Sequence, residues 1–437
     1  MSVPPLDRRT FVLTAASAGS ILGANDRVRV ALIGCGGRGR YVARVMRDAP
    51  NTEFVAACDV YEPNASAARE WAGPDARAYA DFRQVLERKD IDAVLIATPD
   101  HWHAIPAVLA CQAGKHVYVE KPLALTIREG RAIVEAAKQS KAVFLMGTQQ
   151  RSATHFPEVA EMVRNGRIGD VRYVRVWNFV NLTPDGIGSE PDAEPPAGLD
   201  WDFWLGPAPK VPYNRKRFLS TYRYFFAYSG GFITDYGNHR FDTVHQIMGV
   251  DAPRTVAACG GRFSVKGAGD VPDTLQVTYE YPGFVMSYEM SNLNGHGLGG
   301  RTEGMRYYNA RGALDRPNGM AFYGTDGTIF ADRIGYEVFA EPVSRDNPAP
   351  RVPVKRLNTQ DATPLHARHF IDCIRGLMKP VLSPEDGHRA TAIAHLGDIA
   401  YWTGHKLRWD AAREAFEGDA GAASHLTRAA RPPWDIL

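Results

Sequence analysis

The chain has 437 residues, which suggests roughly two or three domains of about 150 residues each. Apolar residues make up 45% of it and charged residues 23%, as in globular proteins, which excludes disorder of the whole chain. A net charge of +2 disfavours a nucleic-acid binder, and no run of apolar residues is long enough to predict a membrane span. The five cysteines are scattered without a Cys-x-x-Cys pair, so no metal site and no disulfide framework is expected.

Residues 1–25 are predicted to be a targeting segment and not part of the fold. Arg8 and Arg9 precede a modestly apolar run at 11–24 that is too short for a membrane span. This arrangement is typical of a twin-arginine export signal. The sequence therefore predicts a periplasmic or otherwise exported protein without a membrane anchor in its mature form, or a cytoplasmic protein if the arginine pair is fortuitous.

Residues 26–150 carry the pattern of a dinucleotide-binding domain. A predicted buried strand at 27–33 runs into Gly34, Gly36 and Gly39, which have the spacing G-x-G-x-x-G before a helix. The first glycine permits a tight turn, the second lets a pyrophosphate approach the backbone, and the third lets the helix pack closely on the strand. This context makes the motif much stronger evidence than the glycines alone.

An acid follows the second predicted strand of this domain. The strand spans 53–58, after a helix predicted at 40–48, and it ends at Asp59. A carboxylate at this place can accept hydrogen bonds from the adenosine ribose and would repel a 2′-phosphate. NAD is therefore favoured over NADP, although Arg38 and Arg40 could soften that preference.

Further strands and helices alternate through the rest of this domain. Strands are predicted at 91–97, 116–119 and 142–146, and helices at 104–113 and 126–140. Alternation of this kind predicts an α/β fold with a parallel, doubly wound Rossmann sheet, whose ligands bind at the carboxyl ends of the strands. Polar clusters fall at those ends, at 98–103, 120–122 and 147–151.

These clusters, with the glycine motif and Asp59, resemble the glucose–fructose oxidoreductase and inositol dehydrogenase family, Gfo/Idh/MocA. The matching clusters are Thr98-Pro99 with His103, Glu120-Lys121-Pro122, and the later stretch Asp235-Tyr236-Gly237-Asn238-His239. The resemblance extends over about residues 27–410 and is closest to an exported branch of predicted dehydrogenases. It implies an N-terminal Rossmann domain that binds NAD, with NADP possible, and a second domain that binds a carbohydrate.

The same resemblance implies roles for individual residues. Glu120 would bind the nicotinamide ribose, Lys121 would hydrogen-bond the substrate hydroxyl, and a cis peptide bond would precede Pro122. The implied cofactor-binding residues are Gly34, Gly36, Gly37, Arg38, Gly39, Asp59, Thr98, Pro99, His103, Glu120, Lys121 and Gln149. The implied substrate-binding residues are Lys121, Arg151, Asp235, Tyr236 and His239.

A helix predicted over 230–249 carries the second set of candidate catalytic residues. Asp235, His239 and Asp242 stand at i, i+4 and i+7 and so share one face. An acid one turn from a histidine can orient its ring and stabilise its charged form, as in a general base. The resemblance implies that His239 is the base, that Asp235 orients the site, and that Lys121 stabilises the developing alkoxide.

The remaining chain is predicted to form a substrate and oligomerisation domain at 151–360 with a mostly antiparallel open sheet. A Pro-rich linker is expected at 341–364, helices that pack back on the first domain at 361–410, and a peripheral tail at 411–437. The resemblance implies a homodimer or homotetramer.

Two functions are compared, and a third is kept open. The leading hypothesis is an NAD(P)-dependent oxidoreductase that transfers a hydride between a carbohydrate or polyol hydroxyl and nicotinamide. The alternative is an exported glycoside hydrolase or lyase that uses tightly bound NAD to oxidise the sugar transiently at C3 and eliminate at C1. The third is a cofactor-binding sensor without turnover, which the presence of both Lys121 and His239 disfavours.

Overall fold

The computed structural model describes residues 27–309 and 315–437. The predicted export signal, with Arg8 and Arg9, lies outside these residues. Within the described ranges, no helix has the length and apolar character needed to cross a bilayer.

The first domain is a six-stranded parallel sheet with helices on both faces, in the strand order β3-β2-β1-β4-β5-β6. Its strands are β1 (Val28–Ile33), β2 (Thr52–Cys58), β3 (Arg77–Tyr79), β4 (Ala93–Ile96), β5 (His116–Val119) and β6 (Phe144–Met146). Its helices are α1 (Gly37–Arg47), α2 (Glu62–Ala72), α3 (Phe82–Glu87), α4 (Ala104–Gln112) and α5 (Ile127–Gln139). The predicted doubly wound Rossmann sheet is confirmed.

The second domain is a ten-stranded sheet in the order β16-β13-β12-β11-β7-β10-β9-β8-β17-β18. Its strands are β7 (Tyr173–Phe179), β8 (Thr255–Gly261), β9 (Thr274–Tyr281), β10 (Phe284–Ser291), β11 (Asn318–Tyr323), β12 (Gly327–Asp332), β13 (Gly335–Ala340), β16 (Lys355–Asn358), β17 (Leu407–Asp410) and β18 (Ala415–Phe416). All pairings in it are antiparallel except that of β7 with β10, so the predicted mostly antiparallel sheet is confirmed.

Helices cover one face of this second sheet. They include α6 (Phe156–Arg164), α8 (Asn238–Met248) and α10 (Pro384–Thr403), and α7 (Trp201–Leu205) lies in the connection that precedes α8. Phe241 of α8 packs edge-on against Tyr279 and Tyr288, which project from neighbouring strands. This packing anchors the helix that carries His239 to the sheet.

Both C-terminal helices contact the first domain, and the second of them also belongs to the core of the second domain. Phe370 and Ile371 of α9 (Thr363–Ile374) lie in the core of the first domain. Ile393 and Leu396 of α10 lie in the core of the second domain, where the Tyr279 hydroxyl donates to the Ile393 carbonyl oxygen at 2.9 Å. On the first-domain side of the same helix, His395 Nε2 lies 2.9 Å from the Ala124 carbonyl oxygen. The helix α10 is buried along most of its length, so its sequence showed no single apolar face.

The predicted linker contains regular strands, most of them exposed, and the predicted peripheral tail has a buried residue near its end. The segment 341–364 forms the hairpin of β14 (Pro342–Ser344) and β15 (Asn347–Pro350), and then β16 joins the large sheet beside β13. Beyond α11 (Ala420–Ser424), Trp434 is 7% exposed and packs on Trp102 of the first domain and on Phe203 of α7. The tail is therefore not peripheral, because its aromatic end completes a core.

Candidate functional site

A cleft of about 940 Å³ lies where the carboxyl ends of the first-domain strands face the start of α8. Its lining includes Gly34, Asp59, Lys121, Asp235 and His239, which are far apart in sequence. This position, at the ends of parallel strands, is where open α/β sheets bind their ligands.

The glycine turn after β1 is shaped to admit a phosphate. Gly34 has φ +88°, and a Cβ there would lie 2.6 Å from the Ala97 and Thr98 backbone. A Cβ on Gly39 would lie 2.1 Å from the Gly34 carbonyl oxygen, so this glycine lets α1 pack on the turn as expected. Gly36 and Gly37 instead face open space, and α1 begins at Gly37, earlier than the predicted residue 40. The uncovered N–H groups at this helix start suit a pyrophosphate.

Asp59 stands at the end of β2, on the same wall of the cleft. Its carboxylate accepts hydrogen bonds from the backbone N–H groups of Cys35 (2.7 Å) and Tyr61 (2.9 Å). Burial raises the pKa of Asp59 to about 6, although these N–H groups favour the ionised form. At this position the Asp59 carboxylate can accept hydrogen bonds from the adenosine ribose hydroxyls, so the residues here fit NAD.

Arg38 is not free to bind a 2′-phosphate, as it would have to be in order to weaken the preference for NAD over NADP. Its guanidinium donates from Nε to Oε1 of the buried Glu120 at 2.9 Å, and Nη2 lies at the same distance. Burial opposes its charge, but Glu120 outweighs that effect and raises the pKa of Arg38. Because Arg38 is paired with Glu120, it does not counter the preference of Asp59 for NAD.

His103 is placed by two backbone carbonyls. Its Nδ1 lies 2.6 Å from the Pro122 carbonyl oxygen and its Nε2 lies 2.9 Å from the Thr98 carbonyl oxygen. The bond between Lys121 and Pro122 is cis, as the family resemblance implied. Thr98, Pro99 and His103 all line the cleft.

Lys121 connects the two domains at the centre of the cleft. Its ammonium donates to the Asp235 carbonyl oxygen at 2.6 Å and also to the carboxylate of Asp235. Arg223 Nε lies 3.4 Å from the same carboxylate. Burial alone would raise the pKa of Asp235, but Lys121 and Arg223 outweigh burial and lower it to about 2. Asp235 is therefore an ionised anchor for Lys121.

The predicted helix over 230–249 is not a regular α-helix. Residues Ile233–Gly237 form a π-helical turn before α8 begins at Asn238. Such turns insert a residue into the helical register and are frequent at functional sites. Asp235 and His239 both line the cleft, as expected, but Asp242 does not.

The expectation that Asp235 stabilises the charged form of His239 is wrong. The Asp235 carboxylate is bound by Lys121 and Arg223, and His239 Nδ1 has no hydrogen-bond partner among the described residues. Burial, followed by the charges of Lys121 and Arg333, holds the pKa of His239 well below its usual value. The imidazole of His239 is therefore neutral at neutral pH.

Arg151 does not reach the cleft, contrary to its expected role in substrate binding. Its guanidinium donates to both carboxylate oxygens of the fully buried Asp242, from Nε at 2.9 Å and from Nη2 at 2.7 Å. Gln149 does line the cleft, and its amide nitrogen donates to the Gly147 carbonyl oxygen at 2.7 Å. The amide oxygen of Gln149 then accepts from Arg38 and Arg333.

Sequence reasoning missed several cleft residues. Arg240, Arg333 and Tyr308 line the cleft beside Tyr236, and Arg333 forms an ion pair with Asp361. The position of Arg240 directly after His239 was a signal that it could lie near the site. Arg333 lies in a tight turn between β12 and β13, and no motif around it indicates a role in the cleft. In the two described ranges, no group of three or more His, Cys, Asp or Glu side chains is arranged to hold a metal ion.

The fold and the site together define a two-domain dinucleotide-dependent protein, with its cleft between a Rossmann sheet and an α/β domain. Residues 28–148 match the oxidoreductase family with an NAD-binding Rossmann fold, and residues 176–266 and 347–436 match the C-terminal α/β domain of that family. The chain belongs to the Gfo/Idh/MocA oxidoreductase family, and NAD is its cofactor.

Curated relatives cover different shares of the chain. An uncharacterized oxidoreductase of Streptococcus pneumoniae is 27% identical over 58% of this chain, which spans only 59% of that relative. The scyllo-inositol 2-dehydrogenase (NAD(+)) of Bacillus subtilis is 23% identical over 82% of this chain and 90% of its own length. A glycosyl hydrolase family 109 protein of Shewanella sp. is 33% identical over 33% of this chain and 34% of its own length.

Solved structures share the fold over nearly the whole chain. Levoglucosan dehydrogenase, in a complex with NADH and levoglucosan, has a TM-score of 0.62 at 19% identity. The superposition covers 88% of this chain and 99% of that structure. At this identity, the likeness concerns the fold alone.

Proposed function

We propose that this protein is an NAD-dependent dehydrogenase that oxidises a hydroxyl group of a carbohydrate or polyol. The observation that carries the proposal is that Lys121 and His239, from different domains, line the same cleft as the glycine turn after β1. The scyllo-inositol 2-dehydrogenase of Bacillus subtilis, a relative over 82% of the chain, supports the same reaction class.

The first domain would hold the dinucleotide. The N–H groups at Gly36 and Gly37 would bind its phosphates, Asp59 its adenosine ribose, and Glu120, fixed by Arg38, its nicotinamide ribose. When bound, NAD supplies the hydride acceptor.

Lys121 is the group that would stabilise the oxygen of the reacting hydroxyl. Two acceptors on Asp235 orient its ammonium, and an ammonium has three donors, so one N–H remains for the substrate. As the hydride leaves the carbon, negative charge develops on the hydroxyl oxygen, and a fixed cation beside that oxygen lowers the barrier.

His239 would accept the hydroxyl proton. Its imidazole is 7% exposed and held neutral, so it is in the form that can act as a base. The overall reaction converts the substrate hydroxyl to a carbonyl, with the hydride transferred to nicotinamide and the proton to His239.

Product analysis tests this proposal. Purified protein is incubated with excess NAD and a panel of pyranosides and inositols, and products are followed by mass spectrometry and NADH absorbance. Loss of two hydrogens from the intact substrate, with equimolar NADH, is the expected result. Absence of oxidation and of any transient NADH across a broad panel would count against the dehydrogenase function.

A redox-neutral glycoside hydrolase or lyase is the second candidate. The family 109 relative shares 33% identity over a third of the chain, within a family that otherwise includes dehydrogenases. In that reaction, a base must also remove a proton at C2, and Tyr236, which lines the cleft and stacks on Phe232, is a candidate beside His239. Release of the aglycone without net NADH formation would favour this reaction over the first.

Export and oligomerisation complete the proposal. The pair Arg8 and Arg9 before an apolar run supports export by the twin-arginine route. Tyr173 and Val285, exposed on neighbouring strands of the large sheet, support a homodimer or homotetramer formed through its helix-free face. If export uses this route, an R8K/R9K variant should not be exported. If the protein is an oligomer, its mass in solution should exceed the 48.1 kDa of one chain.

A further inference from the structure

The cleft contains a buried guanidinium that forms no ion pair within the described residues. Arg240 is 5% exposed and follows His239 in α8. It donates from Nη1 to the Tyr236 carbonyl oxygen at 2.8 Å and from Nη2 to Asn318 Oδ1 at 3.1 Å, both neutral acceptors. Among the described residues, no carboxylate forms an ion pair with Arg240. Burial lowers its pKa and outweighs the opposing effect of the nearby Asp332, because desolvation of a cation is unfavourable.

One carboxylate, that of Asp332, attracts Arg240 electrostatically but forms no ion pair with it, and its oxygens accept from the backbone N–H groups of Tyr308 and Ile334 at 2.8 Å. Arg38 and Arg333 each pair with a carboxylate of their own, whereas Lys121 and Arg223 share that of Asp235. Within the described residues, one positive charge is therefore in excess at Asp235, and Arg240 has no carboxylate in direct contact. The dinucleotide phosphates do not balance this excess, since their binding turn lies in the other domain, at the start of α1.

We propose that the substrate is a sugar acid whose carboxylate binds Arg240, an inference that rests on the dehydrogenase function proposed above. The planar guanidinium matches a carboxylate in a bidentate arrangement. The carboxylate takes no part in the redox step: the oxidised hydroxyl still gives its hydride to NAD and its proton to His239. The anionic group would offset the cations around His239, so proton transfer to this imidazole becomes easier once the substrate is bound.

Matched pairs of substrates test the proposal. Methyl α- and β-glycosides of glucose, galactose and mannose are compared with the corresponding glycosiduronic acids, using NAD-loaded protein and NADH formation as the readout. We expect kcat/KM for the acid to exceed that for its neutral partner by at least tenfold, which corresponds to about 1.4 kcal/mol. Equal rates, or a preference for the neutral sugars, would overturn the proposal.

Variants of Arg240 connect the preference to this side chain. In R240M the ratio of kcat/KM for the acid to kcat/KM for the neutral sugar should fall at least tenfold. R240K keeps a positive charge but loses the planar guanidinium, so its ratio should lie between those of R240M and the wild type. R172Q is the matched control, since Arg172 is exposed at the start of the second domain and pairs with Asp170. An unchanged ratio in folded R240M would refute the assignment of this residue.

A binding measurement tests the carboxylate preference without requiring that the sugars are oxidised. If none of these sugars is oxidised, the broad panel described above decides the dehydrogenase function, and calorimetric titration of the same pairs into NAD-loaded wild-type protein decides the inference. Binding of the uronic acids at least tenfold tighter than the neutral glycosides supports it. Equal or weaker binding refutes it, and this measurement does not depend on the folding of any variant.

Discussion

The ammonium of Lys121 and the Asp235 residue that binds it are 114 positions apart and belong to different domains. Lys121 donates both to the backbone carbonyl oxygen of Asp235, at 2.6 Å, and to its carboxylate. The carbonyl contact depends on the backbone of the π-helical turn, so the orientation of Lys121 depends on how the two domains pack together. Arg223 restrains the same carboxylate from a third segment.

Replacing Lys121 should stop turnover without abolishing cofactor binding. In K121M, we expect kcat to fall by about 10²- to 10⁴-fold, because the cation that stabilises the substrate oxygen is lost. The Gly36–Gly39 turn and Asp59 remain, so NAD should still bind in a calorimetric titration. K138M is the control, since Lys138 is 53% exposed on α5. Wild-type turnover in K121M would exclude the proposed role.

NAD affinity should weaken in acid because of Asp59. With its pKa raised to about 6, this carboxyl is ionised above pH 6 and takes up a proton below it, losing the ability to accept from both ribose hydroxyls. We expect the dissociation constant of NAD to rise by up to about tenfold per unit as the pH falls below 6. In D59N the affinity should be weaker at pH 8 and nearly independent of pH.

The control for Asp59 is D170N, since Asp170 is 70% exposed and distant in sequence from the dinucleotide turn. It should keep the wild-type pH dependence. An NAD affinity that is flat between pH 5 and 8 in the wild type would contradict the assignment of Asp59 to the ribose.

The pH dependence of kcat/KM should reveal the neutral state of His239. A pKa well below the usual value means that the imidazole is unprotonated, and so able to act as a base, even below pH 6. With saturating NAD, we expect activity to be retained through pH 6.5 and lost only at lower pH. H239Q should lose most of its turnover over the whole range. An acid limb at pH 6.5 or above in the wild type would argue against this environment for His239.

The C-terminal tail should contribute to the stability of the first domain. Trp434 is 7% exposed and its ring lies 4.7 Å from that of Trp102 and 5.2 Å from that of Phe203. W434A should lower the free energy of unfolding in urea by about 3–5 kcal/mol, because a large buried ring is removed. W402A is the control, since Trp402 is 42% exposed, and its loss should be clearly smaller. A loss in W434A as small as the one expected for W402A would contradict a role of the tail in the core.

The sequence alone determined the dinucleotide-binding half of this protein. Each feature there is local: Gly34, Gly36 and Gly39 lie in one turn, and Asp59 and Lys121 directly follow buried strands. In a parallel sheet, residues that directly follow the strands lie at the same edge, so the sequence order of such elements is enough to predict a common site.

Tertiary structure decided which partners these residues take and how charge is distributed between them. The i, i+4 spacing predicted an Asp235–His239 pair, but a π-helical turn and a lysine from the other domain bind the carboxylate instead. Arg151 was predicted from its position after a strand, yet the buried Asp242 binds it. Ion pairing and burial depend on distances between segments remote in sequence, and spacing along a chain does not contain that information.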